Sequence, residues 1–214
     1  MKRITIAGWL GAATLLLIGC ASLPSPTELD AQTMAMLKAS FSAKGIAKMD
    51  RLSQDATQRA CSSDQPPAAN VTQALEAEAL AAVKWPAGGQ YIGDWRKGEA
   101  LAQSGRGMTW TDATAEAKDN GGSCYNCHEL SKAELSFGTI GPSLHNYGKT
   151  RGVKNVTDPA SAAIVQYTWG KLWNSKAYNA CSDMPRFGHA GLLNEDQLRD
   201  LMALLLDPKS PLNQ

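Results

Sequence analysis

The stretch Cys124-Tyr125-Asn126-Cys127-His128 constrains this chain more than any other. Two thiols stand three positions apart, an imidazole follows the second at once, and Gly121-Gly122 lead in. A chain that carries such a cluster must build its fold around whatever those three side chains hold. Three kinds of chemistry use the pattern: half of a zinc site, a redox-active dithiol, or covalent attachment of haem c.

The N-terminus bears on the choice. Lys2 and Arg3 precede an apolar run that ends at Ile18, followed by Gly19 and Cys20, the parts of an export signal spanning residues 1–19. The run is short for a membrane span. Leu17-Ile18-Gly19-Cys20 resembles the bacterial lipobox, in which cleavage precedes the cysteine and its sulfur receives a diacylglyceryl group. Ser22, Pro24, Ser25 and Pro26 follow as a tether-like stretch. The expectation is a periplasmic protein, tethered to a membrane through Cys20. An ordinary cleaved signal with an incidental cysteine is the alternative.

Export places the motif where haem c is assembled. No second cysteine or histidine pair exists to complete a zinc shell, and no strand signal precedes the motif as in a thioredoxin-like unit. Haem c is therefore the expected cofactor, one per chain. Cys124 and Cys127 each add to a vinyl group, the two-residue spacer matches the vinyl separation, and His128 is delivered to the iron as an axial ligand. Pro142 is the candidate carbonyl acceptor for the second nitrogen of His128, which would orient the ring.

The sixth ligand must come from a distance. Met202 falls on the apolar stripe of a C-terminal helix and reads as core. Met108 lies in a turn before the motif and reads as packing. Met184, in "CSDMPRFGHAG", precedes a proline in a loop 56 residues after His128 and is the candidate. His189, five positions on, is the rival, and His145 reads as a surface or haem-edge residue. Of five cysteines, lipid takes one and haem two, which leaves Cys61 and Cys181. An even remainder in an exported chain suggests a disulfide, with two free thiols as the alternative.

Cleavage before Cys20 would leave 195 of the 214 residues, with 19 basic against 20 acidic side chains. Nothing in that balance points to a nucleic-acid partner. Residues 20–87, after the signal, read as a tether and helical extension, and residues 88–214 as the haem domain. The extension is rich in Ala, Gln, Lys and Glu and poor in β-branched residues, so helices are expected at 27–41, capped by Thr27, at 42–60, and after Asn70. Trp85-Pro86-Ala87-Gly88-Gly89 marks the boundary. Asp94 caps a helix over 95–104. Gly98 inside it costs about 1 kcal/mol relative to alanine, which suits a point where another helix crosses closely. A helix is expected from Ala160 to Tyr167 or beyond. Asn194-Glu195-Asp196-Gln197 is a capping box, opening a helix with Leu198, Leu201, Met202 and Leu205 on one face. The fold class is all-α.

The runs "SGRGMTW", "GGSCYNCHELSKAELSFGTIGPSLHNYGKTRG", "NACSDMPRFGHAGLL" and "LLLDPKSPLN" resemble, in this order, the SoxX family, the monohaem cytochrome subunits of the SoxAX complex of bacterial sulfur oxidation. "GIAKMDRLSQDATQRACS" extends the resemblance to the longer members. The resemblance implies a class I cytochrome c fold, haem on Cys124 and Cys127, and axial ligands His128 and Met184. It also implies an electron-accepting subunit of L-cysteine S-thiosulfotransferase. In that complex a SoxA-type partner carries the catalytic cysteine and joins thiosulfate oxidatively to a cysteine of a SoxY-type carrier, and electrons leave to a downstream acceptor. The other function class is a free-standing carrier that docks through a basic ring, for which Lys132, Lys149, Arg151, Lys154 and Lys171 are candidates.

Overall fold

The computed structural model describes residues 23–214, so the export signal and Cys20 lie outside the described residues. Helices and turns make up the described residues. No strand is present among the described residues beyond an isolated bridge between Lys44 and Ala47. The molecule is all-α, in two compact units, one ending at Phe41 and the other comprising residues 42–214.

In the first unit, α1 runs Pro26–Ser40 and buries none of its side chains. Its cap is Ser25 rather than Thr27. Ser25 Oγ accepts from the Glu28 amide at 3.3 Å while Glu28 Oε2 accepts from the Ser25 amide at 2.7 Å. Pro26, lacking an N–H, suits the first helical position that follows.

The second unit departs from the helical pattern expected over residues 42–60. Residues 42–60 do not form one helix. Gly45 adopts φ +53°, and a Cβ there would lie 2.4 Å from the Trp110 carbonyl oxygen and 2.5 Å from that of Asp112. The Ile46 amide donates to Asp112 O at 3.1 Å, and Lys44 Nζ rests 3.7 Å from the centre of the Trp110 ring. These tertiary contacts hold the backbone out of helical dihedrals. A 3₁₀ turn, Met49–Leu52, follows, and then α2, Ala56–Cys61, opened by a capping box between Asp55 and Gln58. Helix α3, Ala69–Ala81, begins one residue ahead of Asn70 and has no side-chain cap.

Gly88 and Gly89, at φ +63° and +68°, turn the chain into α4, Trp95–Ala102, capped by Asp94. Three helices complete the fold: α5, Tyr147–Thr150; α6, Ala162–Trp173; and α7, Glu195–Leu206, which opens on the Asn194–Gln197 capping box. Helices α4 and α7 cross at Gly98. A Cβ there would stand 2.1 Å from Asp200 O and 3.0 Å from Leu204 Cβ, so only glycine admits the approach. Around that crossing α7 buries Leu198, Leu201, Met202, Leu204 and Leu206, joined by Trp169 and Leu172 of α6. Each such leucine contributes about 2 kcal/mol when fully withdrawn from water, which makes this helix the spine of the core. The Trp169 indole donates to Lys84 O at 2.9 Å and so draws the end of the extension onto α6.

Candidate functional site

The motif lies just beyond α4 and is tied to it. Gly122 N donates to Leu101 O at 2.8 Å, Ser123 N to Ser104 O at 3.0 Å, and Gly121 N to Arg106 O at 2.8 Å. The approach is close enough that a Cβ on Gly121 would meet Ser104 O at 2.0 Å, which accounts for the glycine pair. Ser123, at φ +50°, then starts a 3₁₀ turn, Cys124–Asn126. Cys124 O accepts from both the Cys127 and the His128 amides, at 3.1 and 2.9 Å. One turn thus brings the backbones of Cys124, Cys127 and His128 together.

Residues 138–144 fold back along the motif. Gly138 N donates to Tyr125 O, Gly141 N to Cys127 O and Leu144 N to Glu129 O, each at 2.8 Å. His128 Nδ1 lies 2.6 Å from Pro142 O. A carbonyl can only accept, so Nδ1 carries the proton and Nε2 keeps its lone pair free for a metal. Gly141 packs against the ring: a Cβ there would meet Cε1, Nδ1 and Nε2 of His128 at 2.2, 2.4 and 2.7 Å. The identity of residue 141 is thereby part of the imidazole's placement. Sequence reading missed it, although its position directly before Pro142 was a usable signal.

Cys124 and Cys127 are unpaired thiols, both partly exposed as residues. Burial of its sulfur pushes the Cys124 thiol up to about 12. Among the described residues no group of three or more His, Cys, Asp or Glu side chains is gathered that could hold a metal ion.

Met184 borders the same apolar cluster that Cys124, Tyr125 and Leu144 pack against. Its carbonyl accepts from the fully buried Ser175 Oγ at 2.6 Å. His189 is exposed, with its amide on Trp173 O at 2.9 Å. His145 is partly buried, with Nε2 3.0 Å from Asn146 Nδ2. Met202 is wholly inside the core, and Met108 is exposed at φ +58°. Cys61 and Cys181 are joined by a disulfide. Among the described residues, three buried side-chain polar atoms find no partner: Trp173 Nε1, His145 Nδ1 and Asn146 Oδ1. Nothing in the sequence singles out Trp173, one of six tryptophans, for such a position.

No family model matches the chain. A protein of Aquifex aeolicus (strain VF5), described as an uncharacterized lipoprotein, is 36% identical over 168 residues, covering 75% of this chain and 73% of the other.

Proposed function

We propose a function for this chain, which belongs to the same family as that Aquifex aeolicus lipoprotein: it is a lipid-anchored, periplasmic monohaem cytochrome of the class I cytochrome c fold. Within a SoxAX-type complex it accepts the electrons released when thiosulfate is oxidatively coupled to a cysteine of a SoxY-type carrier. The observation that carries the haem assignment is the His128 ring, held through Nδ1 on Pro142 O, one turn from two unpaired thiols. When bound, haem c supplies a one-electron iron couple.

The chain's own residues divide the remaining work. Cys124 and Cys127 would anchor the cofactor, and His128 and Met184 would ligate its iron. Gly141 and Pro142 orient His128. With Cys61 and Cys181 joined and the motif cysteines assigned to haem, the sulfur nucleophile falls to the SoxA-type partner. Anchoring through Cys20 is supported by the lipoprotein relative. No helix among the described residues is long and apolar enough to cross a membrane.

The role in sulfur oxidation rests on the order and content of the runs around the motif. The free-standing carrier draws little support from the surface. Of the five basic candidates, Lys132 is paired with Glu129 at 2.8 Å, Arg151 lies 3.7 Å over the Tyr147 ring, and Lys171 is partly buried and donates to Ser175 O at 3.2 Å. Affinity isolation of the mature protein from thiosulfate-grown native cells tests the proposal. A haem-bearing partner should co-purify, and thiosulfate with the carrier should reduce the haem. Recovery of the chain alone would refute the complex.

A further inference from the structure

The ligand-bearing segment between α6 and α7 has little regular structure of its own. Between Asn174 and Arg186 it forms only the 3₁₀ turn Ser175–Ala177. Its internal ties are short-range: Ser175 Oγ to Met184 O, Met184 N to Ser182 Oγ at 3.3 Å, and Cys181 N to Asn179 Oδ1 at 3.1 Å. Besides ties to α6, where Lys171 Nζ donates to Ser175 O at 3.2 Å and Tyr167 packs on Tyr178, three further ties join the segment to the extension. Ala180 N donates to Glu76 Oε1 at 3.0 Å. Cys181 is bonded to Cys61. Arg186 Nη2 lies 3.0 Å from Asp55 Oδ2.

Their positions bracket Met184, at four and three residues before it and two after. Two of them are also the ends of one element, since Asp55 caps α2 and Cys61 is its last residue. A six-residue helix of about 9 Å therefore lies as a bar between the two flanks of the Met184 turn. Glu76 adds a third point from α3.

We propose that this part of the extension, through Asp55, Cys61 and Glu76, is a positioning clamp for Met184. The inference rests on the reading of Met184 as the axial ligand and goes beyond it. A thioether on an irregular loop is lost whenever the loop opens, and loops stabilised only by local bonds open at little cost. Opening here requires the loop to part from α2 and α3, and the chain just after α3 is held to the core through the Trp169 indole on Lys84 O. Asp55, Cys61 and Glu76 are positioning residues. They act through Cys181, Arg186 and Ala180.

The test uses the full mature protein, haem-loaded and ferric, titrated with imidazole as a competing sixth ligand. Loss of the far-red sulfur-to-iron band is followed. The competitor's apparent affinity scales with the fraction of molecules whose loop is open, so it reads the clamp directly. The Cys61→Ser/Cys181→Ser double variant should bind imidazole roughly tenfold tighter, and Asp55→Asn and Glu76→Gln each roughly threefold tighter. Glu116→Gln, which breaks the exposed pair with Lys118, should match wild type. If the double variant loads haem poorly, the two carboxylate variants decide. Imidazole affinities within twofold of wild type in the variants, with the far-red band intact, would overturn the clamp and leave Met184 as ligand. Absence of the band in wild type would instead remove Met184 and the clamp's premise together.

Discussion

Replacing Gly98 with alanine opposes two physical effects of known sign. In an isolated helix the change stabilises by about 1 kcal/mol, because glycine surrenders more backbone entropy. In this fold the added Cβ would stand 2.1 Å from Asp200 O, 2.6 Å from the carbonyl carbon and 3.0 Å from Leu204 Cβ. Two of those three atoms are backbone, so no side-chain rotation relieves the clash. Helix α7 must retreat by about 1 Å, at an overpacking cost of about 2–3 kcal/mol. Retreat also strains two bonds that join the helix to the start of α4, Gly93 N to Arg199 O at 2.9 Å and Asp94 N to Asp200 Oδ1 at 2.7 Å. Each is worth about 1 kcal/mol. The net expectation is destabilisation by about 2–4 kcal/mol, or a fall in Tm of roughly 5–15 °C for a chain of this size. Thermal and urea unfolding of the mature protein at fixed redox state, followed by circular dichroism, measures it. Ala100→Gly, at an exposed position of the same helix, supplies the comparison and should cost about 1 kcal/mol. A Gly98→Ala protein as stable as wild type, or more so, would refute the crossing.

Two further expectations concern the site and its brace. Gly141→Ala places a Cβ against the His128 ring, so the ring must turn away from Pro142 O; the ferric spectrum should gain a high-spin component that wild type lacks, and an unchanged spectrum would contradict the packing. Asp55 is held below the usual carboxylate range, first by the Gln58 amide and then by Arg186. A lowered folded value means that its contribution is present above the unfolded value of about 3.9 and is lost as pH falls through the folded one. The Tm gap between wild type and Asp55→Ala should therefore be full at neutral pH and shrink below about pH 4. A gap constant with pH would show that the carboxylate charge plays no part.

The haem-type motif, the capping of α4 by Asp94 and of α7 by Asn194, and the use of Gly98 at a crossing were all legible in the sequence. Each depends on residues within one or two turns of each other, or on a local cost that needs a tertiary reason. Where local signals competed, sequence reading erred. Ser25 with Pro26 displaced Thr27, Ala68 took the place of Asn70, and the alanine-rich stretch 42–60 yielded to the contact of Gly45 with Trp110 and Asp112. Cysteine parity suggested a bridge between Cys61 and Cys181 but could not choose it over two free thiols.

What the sequence by itself determined is the spacing of two cysteines and a histidine, because thiol spacing and the adjacent imidazole are properties of five consecutive residues. Only the tertiary structure decided what holds the other ligand candidate in place. Glu76, Cys61 and Asp55 lie more than 100 residues from the partners they grip. Contacts at such separation are set by how the extension packs on α6 and the loop after it. That packing follows from burial over many side chains at once, which no short pattern encodes.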